Sequence, residues 1–194
     1  MAFDLLFREE IDLDASRPVP EDLRSVLTPA QKPVAWSQAE IRKLKQLEVS
    51  TQTFAVDLIS WAKSQGIPAA LGLTVYTPEQ SDAAWDKGKS GIEKGRLDWH
   101  NVGRAFHVII AQPGRKLDFK DPVTRDAYYK LGERARQQGG TWFGDHPIKT
   151  RTGYVFDLAH FEYHPSLNIG PYRKSKLAET EFKSAQTRRR LYGG

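Results

Sequence analysis

Cysteine is absent from this 194-residue chain. It therefore holds no disulfide and no thiolate metal site, and any metal it binds must sit on histidine and carboxylate. Long apolar runs are missing too, since no stretch approaches the roughly 20 residues that a membrane helix needs. The opening residues, "MAFDLLFREEIDLD", place acids where a secretory signal carries lysines and an unbroken apolar segment. The expectation is a protein made in the cytoplasm without a signal peptide. No internal repeat shows, and neither a nucleic-acid fold signature nor an aromatic-basic platform is present, so nucleic acid is not an expected partner.

What is present suits a packed globule. The apolar fraction is 39%, with five tryptophans, and the charged fraction of 27% is ordinary for a soluble domain. At this length one compact domain with short arms is expected. The net charge of +5 favours an anionic partner such as nucleic acid, an anionic cell wall or an acidic protein surface. The densest basic run, "TRRRLYGG", is either a solvated tail or a binding element, and its glycines suggest fraying.

Along the chain, "SRPVPEDLRSVLTPAQKPVAW" carries four prolines, which block continuous helix and make residues 1–36 an extended arm. From Ser37 the spacing predicts helix. Ser37 and Glu40 have capping-box spacing, Ile41, Leu44, Leu47, Phe54, Leu58 and Trp61 recur at helical steps, a break is expected near Ser50, and Gly66 supplies the stop. "PAALGLTVYT" then reads as a short strand, "PEQSDAAWDKGKS" as a helix entered through Pro78, and "GIEKGRLDWHNVG" as a loop. "RAFHVIIAQ" is a strand, "DPVTRDAYYKLGERARQQGG" a helix with Pro122 in its first turn, and "TWFGDHPIKTRTGYVFDLAHFEYHP" contains two further short strands. Without regular strand-helix alternation, the class is α+β with a small antiparallel sheet. The domain boundaries expected are an arm at 1–36, a folded domain at 37–168 and a basic tail at 169–194. Phe54, Trp61, Trp85 and Phe106 are expected in the core.

Only five histidines occur, and one of them, His107, lies inside an apolar strand. Alternation puts Ala105, His107 and Ile109 on one face and Phe106, Val108 and Ile110 on the other, so His107 faces a cleft if the apolar side packs inward. His100 precedes it in a loop, and His160 follows Asp157 at a distant Asp-x-x-His. Three nitrogens with a carboxylate beside them suit a metal site. The alternative is that His107 hydrogen-bonds a neighbour and His160 lies on a strand surface. His146 and His164 read as surface or structural residues.

In order, "DWHNVGRAFHV", "GGTWFGDH" and "FDLAHFE" resemble the zinc peptidases of the D-alanyl-D-alanine carboxypeptidase and L-alanyl-D-glutamate endopeptidase group, which includes VanY-type enzymes and many phage endolysins. That group carries Ser-x-His-x-x-Gly-x-Ala-x-Asp, then Trp-Gly-Gly, then Asp-x-x-His-x-Glu. "TVYTPEQSDAAWDKGKS" is similar to its "YRTPEEQ...GRS" stretch, so the resemblance spans roughly residues 45–165. It implies the Hedgehog/D,D-peptidase fold with zinc at the rim of the sheet. His100 and His160 match zinc ligands, Asp157 matches the general base toward the attacking water, and Gly103, Ala105, Trp142 and Gly144 match framework positions.

The departures are specific. His107 stands where the group has an aspartate ligand, and the resulting three-histidine site is more positive, which favours ionisation of a water on the metal. Asp98 replaces the motif serine and is expected either to orient a ligand histidine or to be a plain loop residue. Tyr76 replaces an arginine thought to hold a substrate carbonyl or carboxylate; it either donates one hydrogen bond to an oxyanion or packs in the core. Arg104 either contacts an anionic peptide or is simply exposed, and Glu162 is either a partner of His160 or solvated. The resemblance implies a zinc metallopeptidase acting on the peptidoglycan stem peptide, an endolysin or virion-associated lysin that reaches the cell wall through lysis machinery or a particle. The other reading is a degenerate member serving as a structural or binding component of a phage-like particle, its proline-rich arm docked on other virion proteins.

Overall fold

The computed structural model describes residues 36–110 and 117–193. The expected arm lies outside these residues except for Trp36, which is fully buried and packs in the main core. Among the described residues two helices come first, α1 (Gln38–Gln46) and α2 (Val49–Ser64). Ser37 caps α1 by the reciprocal bonds its spacing predicts: its hydroxyl accepts from Glu40 N at 3.2 Å and its own N–H donates to Glu40 at 2.9 Å. The break falls at Leu47 and Glu48, slightly before Ser50. There Glu48 caps α2, accepting from Ser50 N at 2.9 Å and Thr51 N at 3.3 Å.

The remaining elements are β1 (Ala69–Leu71), α3 (Pro78–Asp86), β2 (Ala105–Ile110), α4 (Pro122–Gln137), β3 (Thr141–Trp142), β4 (Ile148–Thr150), β5 (Gly153–Val155), β6 (His160–Glu162), α5 (Ile169–Tyr172) and α6 (Lys176–Tyr192). The class is α+β. A four-stranded antiparallel sheet has the order β1-β2-β6-β3, and β4 and β5 form a separate hairpin. The segment expected to hold two strands therefore holds four, two of them in a hairpin off the sheet. Their brevity explains the miscount, because two- and three-residue strands are too short to show alternation.

Phe106, Val108, Tyr128, Leu131, Trp142 and Phe161 form the centre of the core between the sheet and helices α2 and α4. Gly132 lets α4 approach the sheet: a Cβ there would lie 2.1 Å from Trp142 Cε3. Phe54 and Phe106 lie in the core as expected, and Trp61 packs against its edge. Trp85, by contrast, is half-buried on α3 and belongs to neither core cluster.

Of the segment 169–194, expected to be a tail, the described residues 169–193 are largely helical through Tyr192 and packed. Ala178 and Ala185 of α6 are buried, and with Trp99, Val102, Ala105 and Tyr172, Ala178 forms a second core cluster. Arg188 Nε donates to the Gln46 carbonyl at 2.9 Å. The basic run misled because α6 shows charge on its exposed face while small residues, which carry little hydropathy signal, face the domain. No helix among the described residues is long and apolar enough to cross a membrane.

Candidate metal centre

Three segments bring their histidines together over the two central strands of the sheet. His107 sits mid-strand in β2 and pairs in register with His160, the first residue of β6. His100 lies in the turn that leads into β2. Gly103, at φ +78°, lets that turn cross the α1–α2 break, where its carbonyl accepts from Glu48 N at 2.9 Å and an added Cβ would sit 3.0 Å from the same nitrogen. The group His100, His107 and His160 is therefore assembled by strand register and one tight turn.

The hydrogen-bond partners define which nitrogens face inward. His100 Nδ1 meets the Thr74 carbonyl, which can only accept, so Nδ1 carries the proton and Nε2 carries a lone pair. His160 Nε2 meets Glu162 Oε1 at 2.9 Å, so in the neutral ring Nδ1 carries the lone pair. His160 Nδ1 lies 3.3 Å from His100 Nε2 and 3.3 Å from His107 Nε2. With both rings neutral, His100 Nε2 and His160 Nδ1 present lone pairs to each other and cannot hydrogen-bond. They suit one shared electrophile. A tetrahedral ion with metal–nitrogen bonds of about 2.0–2.1 Å requires nitrogens about 3.3–3.4 Å apart; the two pairs through His160 match this and all three ligand atoms lie within 4.8 Å of one another, so the group could hold a metal ion.

The electrostatics of His100 agree with that geometry. Burial, together with repulsion from His160 and His107, holds His100 well below its ordinary range, so it is neutral as a ligand must be. Burial pushes His160 down, but its bond to Glu162 and the surrounding carboxylates more than offset this and raise it. Burial pushes Glu162 up, and its bonds to His160 and His164 overcome that and keep it ionised. Asp157 places Oδ2 3.5 Å from His107 Nε2 and accepts from Ala159 N at 3.2 Å. Burial raises its pKa, but His107 and His160 outweigh burial, so this carboxylate is held below its ordinary value.

The other residues singled out in the sequence divide into those the cleft uses and those it does not. Tyr76 lines the cleft, its ring stacked on His100 at 4.2 Å between centroids, and burial followed by the charges of Asp157 and Asp98 keeps its phenol protonated. Asp98 also lines the cleft, but its carboxylate accepts from Ser81 Oγ at 2.9 Å and Asn101 N at 2.8 Å. It shapes the turn, while the Thr74 carbonyl orients His100. Arg104 is neither exposed nor in the cleft: it is buried in a two-pronged pair with Glu181, both contacts at 2.7 Å. Trp142 is a core residue whose indole N–H donates to the Leu158 carbonyl at 2.8 Å. His146 is exposed, as expected.

Above the histidines opens a cleft of about 390 Å³ with Ile92, Phe143, Ile148 and Ile169 in its walls. Sequence reasoning missed Thr74, Phe143 (edge-on to His160 at 5.0 Å) and His164. Only His164 left a usable signal, because residues 160, 162 and 164 alternate along one strand face.

Fold and site together define an α+β domain in which three histidines that could hold a metal ion lie beside a carboxylate under a largely apolar cleft. No protein-family model matches the chain. It is 29% identical over 109 residues to an L-alanyl-D-glutamate peptidase of Listeria phage A118, which bears out the resemblance read from the motifs. The match covers 56% of this chain and 36% of that protein, so the chain spans about a third of its relative's length. Among solved structures it is similar to DacB from Streptococcus pneumoniae D39, with a TM-score of 0.45, 20% identity, and coverage of 69% of this chain and 72% of that one.

Proposed function

We propose that the protein is a zinc-dependent peptidase that hydrolyses peptide bonds in the peptidoglycan stem peptide, acting as an endolysin or virion-associated lysin. The observation that carries the metal reading is the convergence of His100, His107 and His160, with His100 Nε2 and His160 Nδ1 3.3 Å apart. The phage L-alanyl-D-glutamate peptidase supports the substrate class. A zinc held by His100, His107 and His160 supplies a Lewis acid that polarises the scissile carbonyl and eases ionisation of the attacking water.

The chain's own groups do the rest. Asp157, ionised and 3.5 Å from His107, takes the proton of the attacking water and passes it to the leaving amine. Tyr76, held protonated beside His100, donates a hydrogen bond to the developing oxyanion. Ile92, Phe143 and Ile148 shed water from the peptide as it settles. The departure at Tyr76 favours a second reading, a weakly active or inactive member that serves as a binding component of a particle, because a phenol is a poorer electrostatic partner than a guanidinium. Zinc content of the purified protein and release of new amino groups from purified peptidoglycan separate the two. Full zinc occupancy with no release from several peptidoglycan types overturns the peptidase reading.

A further inference from the structure

The buried polar chain beneath His160 extends further than any ligand set requires. Glu162 uses both carboxylate oxygens: Oε1 takes the His160 Nε2 proton at 2.9 Å, and Oε2 meets His164 Nε2 at 2.7 Å. All three side chains are sequestered, with exposures of 14% for His160, 10% for Glu162 and 19% for His164. They lie at alternate positions of one segment, and its pairing with β2 continues past β6 through the bond from Tyr163 N to the Arg104 carbonyl at 2.9 Å. The ring of His164 is stacked flat on Trp99, with centroids 4.3 Å apart and planes 11° from parallel. Trp99 directly precedes His100, and it packs in turn against Tyr172 in the second core cluster at 4.8 Å.

We infer that His164 is a positioning residue for the metal site: clamped on Trp99, it fixes Glu162, and Glu162 fixes His160 in the tautomer and orientation that aim Nδ1 at the ion. The inference rests on the metal reading of the three histidines. A carboxylate with one oxygen free could swing about its last torsion and release the His160 ring, which would then turn Nε2 inward as His100 does. With both oxygens engaged, that motion breaks two charge-assisted hydrogen bonds in a buried site. The Trp99 stack adds a second function. It links the segment carrying His160 to the turn carrying His100, alongside the β2–β6 register that already sets the strands. A carboxylate that receives a ligand imidazole's proton also makes the opposite nitrogen a stronger donor.

The hydrogen bond and the stack can be separated by substitution. His164→Phe keeps a flat ring for Trp99 and removes the bond to Glu162, whereas His164→Gln keeps an N–H near the place of Nε2 and removes the ring. Zinc affinity of the full chain is measured by chelator competition, with melting of the metal-free protein as the folding control and the cobalt absorption spectrum as a reporter of ligand geometry. His164→Phe should bind zinc about 10- to 100-fold more weakly with a shifted cobalt spectrum, and His164→Gln should recover most of the affinity. Glu162→Gln, which leaves an acceptor for His160 but removes the charge, should also weaken binding and gives a second measurement if His164→Phe folds poorly. Wild-type affinity in both His164→Phe and Glu162→Gln overturns the inference, and so does an equal loss in His164→Phe and His164→Gln, which would assign the effect to packing. Failure of the wild type itself to bind zinc overturns the metal reading along with this one.

Discussion

Glu181→Gln should loosen the C-terminal helix from the turn that carries His100, and the size of the effect follows from burial. Arg104 and Glu181 have side-chain exposures of 10% and 14% and make two contacts of 2.7 Å, while Tyr172 donates to Glu181 at 2.6 Å. Removing one partner of a buried pair costs about 3–5 kcal/mol, because the other charge is left desolvated. Arg104 retains Glu48 at 3.7 Å, and glutamine still offers one acceptor, so about 3 kcal/mol is expected. In a domain of this size that lowers the melting temperature by about 6–12 °C. The control is Lys183→Ala, which breaks a pair with Glu179 whose side chains are 72% and 65% exposed. Exposed helical pairs of that kind contribute little to stability, because solvent screens them.

The pH dependence gives the same experiment a sign. Burial raises the Glu181 pKa, but the bonds from Arg104 and Tyr172 outweigh it and hold the group below its ordinary value of 4.5. A depressed carboxylate contributes stability that is complete above its ordinary value and disappears as pH falls through the depressed one. The difference between wild type and Glu181→Gln, read by calorimetry or urea unfolding, should therefore be constant from neutral pH down to about 4.5 and close below it. Zinc affinity should fall too, since Gln186 on the same helix donates to the Tyr76 carbonyl at 3.0 Å and the Asn101 carbonyl at 3.1 Å. A melting shift no larger than that of Lys183→Ala refutes the claim that α6 is part of the domain.

Further outcomes are expected at the histidines, at the cleft and at the N-terminal segment. His107→Ala should lose most zinc affinity in isothermal titration of the demetallated protein, and wild-type affinity should fall as the solution is acidified, because all three ligands must be neutral. Asp157→Asn should keep its zinc while release of amino groups from peptidoglycan drops about 10²- to 10⁴-fold, and Tyr76→Arg should raise activity if the oxyanion partner limits the wild type. Deleting residues 1–30 should leave zinc binding unchanged, whereas loss of soluble protein would assign that segment to the fold.

Most of the fold was legible where a local rule acts alone. The capping box at Ser37, Pro78 at the start of α3 and Pro122 at the start of α4 each state their role in two or three residues. What could not be read depends on distant contacts. Helix α6 is held by Arg104, Gln46 and Tyr76, residues 77, 142 and 110 positions from their partners in the chain, and a run of arginines near its end resembles a solvated tail until those partners are in place. Arg104 itself reads as a surface cation because its acid lies on an element that local spacing does not connect to it.

The site shows how far local spacing reaches before packing takes over. Alternation in "RAFHVII" puts His107 on the face opposite Phe106, but alternation alone does not say which face is buried. The core decides. Phe106 pairs in register with Phe161, and both are fully buried, so a one-residue slip of β2 would bring His107 into the core and Phe106 into the cleft. A neutral but unpaired imidazole there would be desolvated and the core would lose an aromatic ring, two costs that act in the same direction. The register chosen by the phenylalanines is the one that sets His107 beside His160. The position of His107 and His160 is thus fixed by apolar packing one residue away, and no carboxylate is needed at residue 107 to hold the strand there.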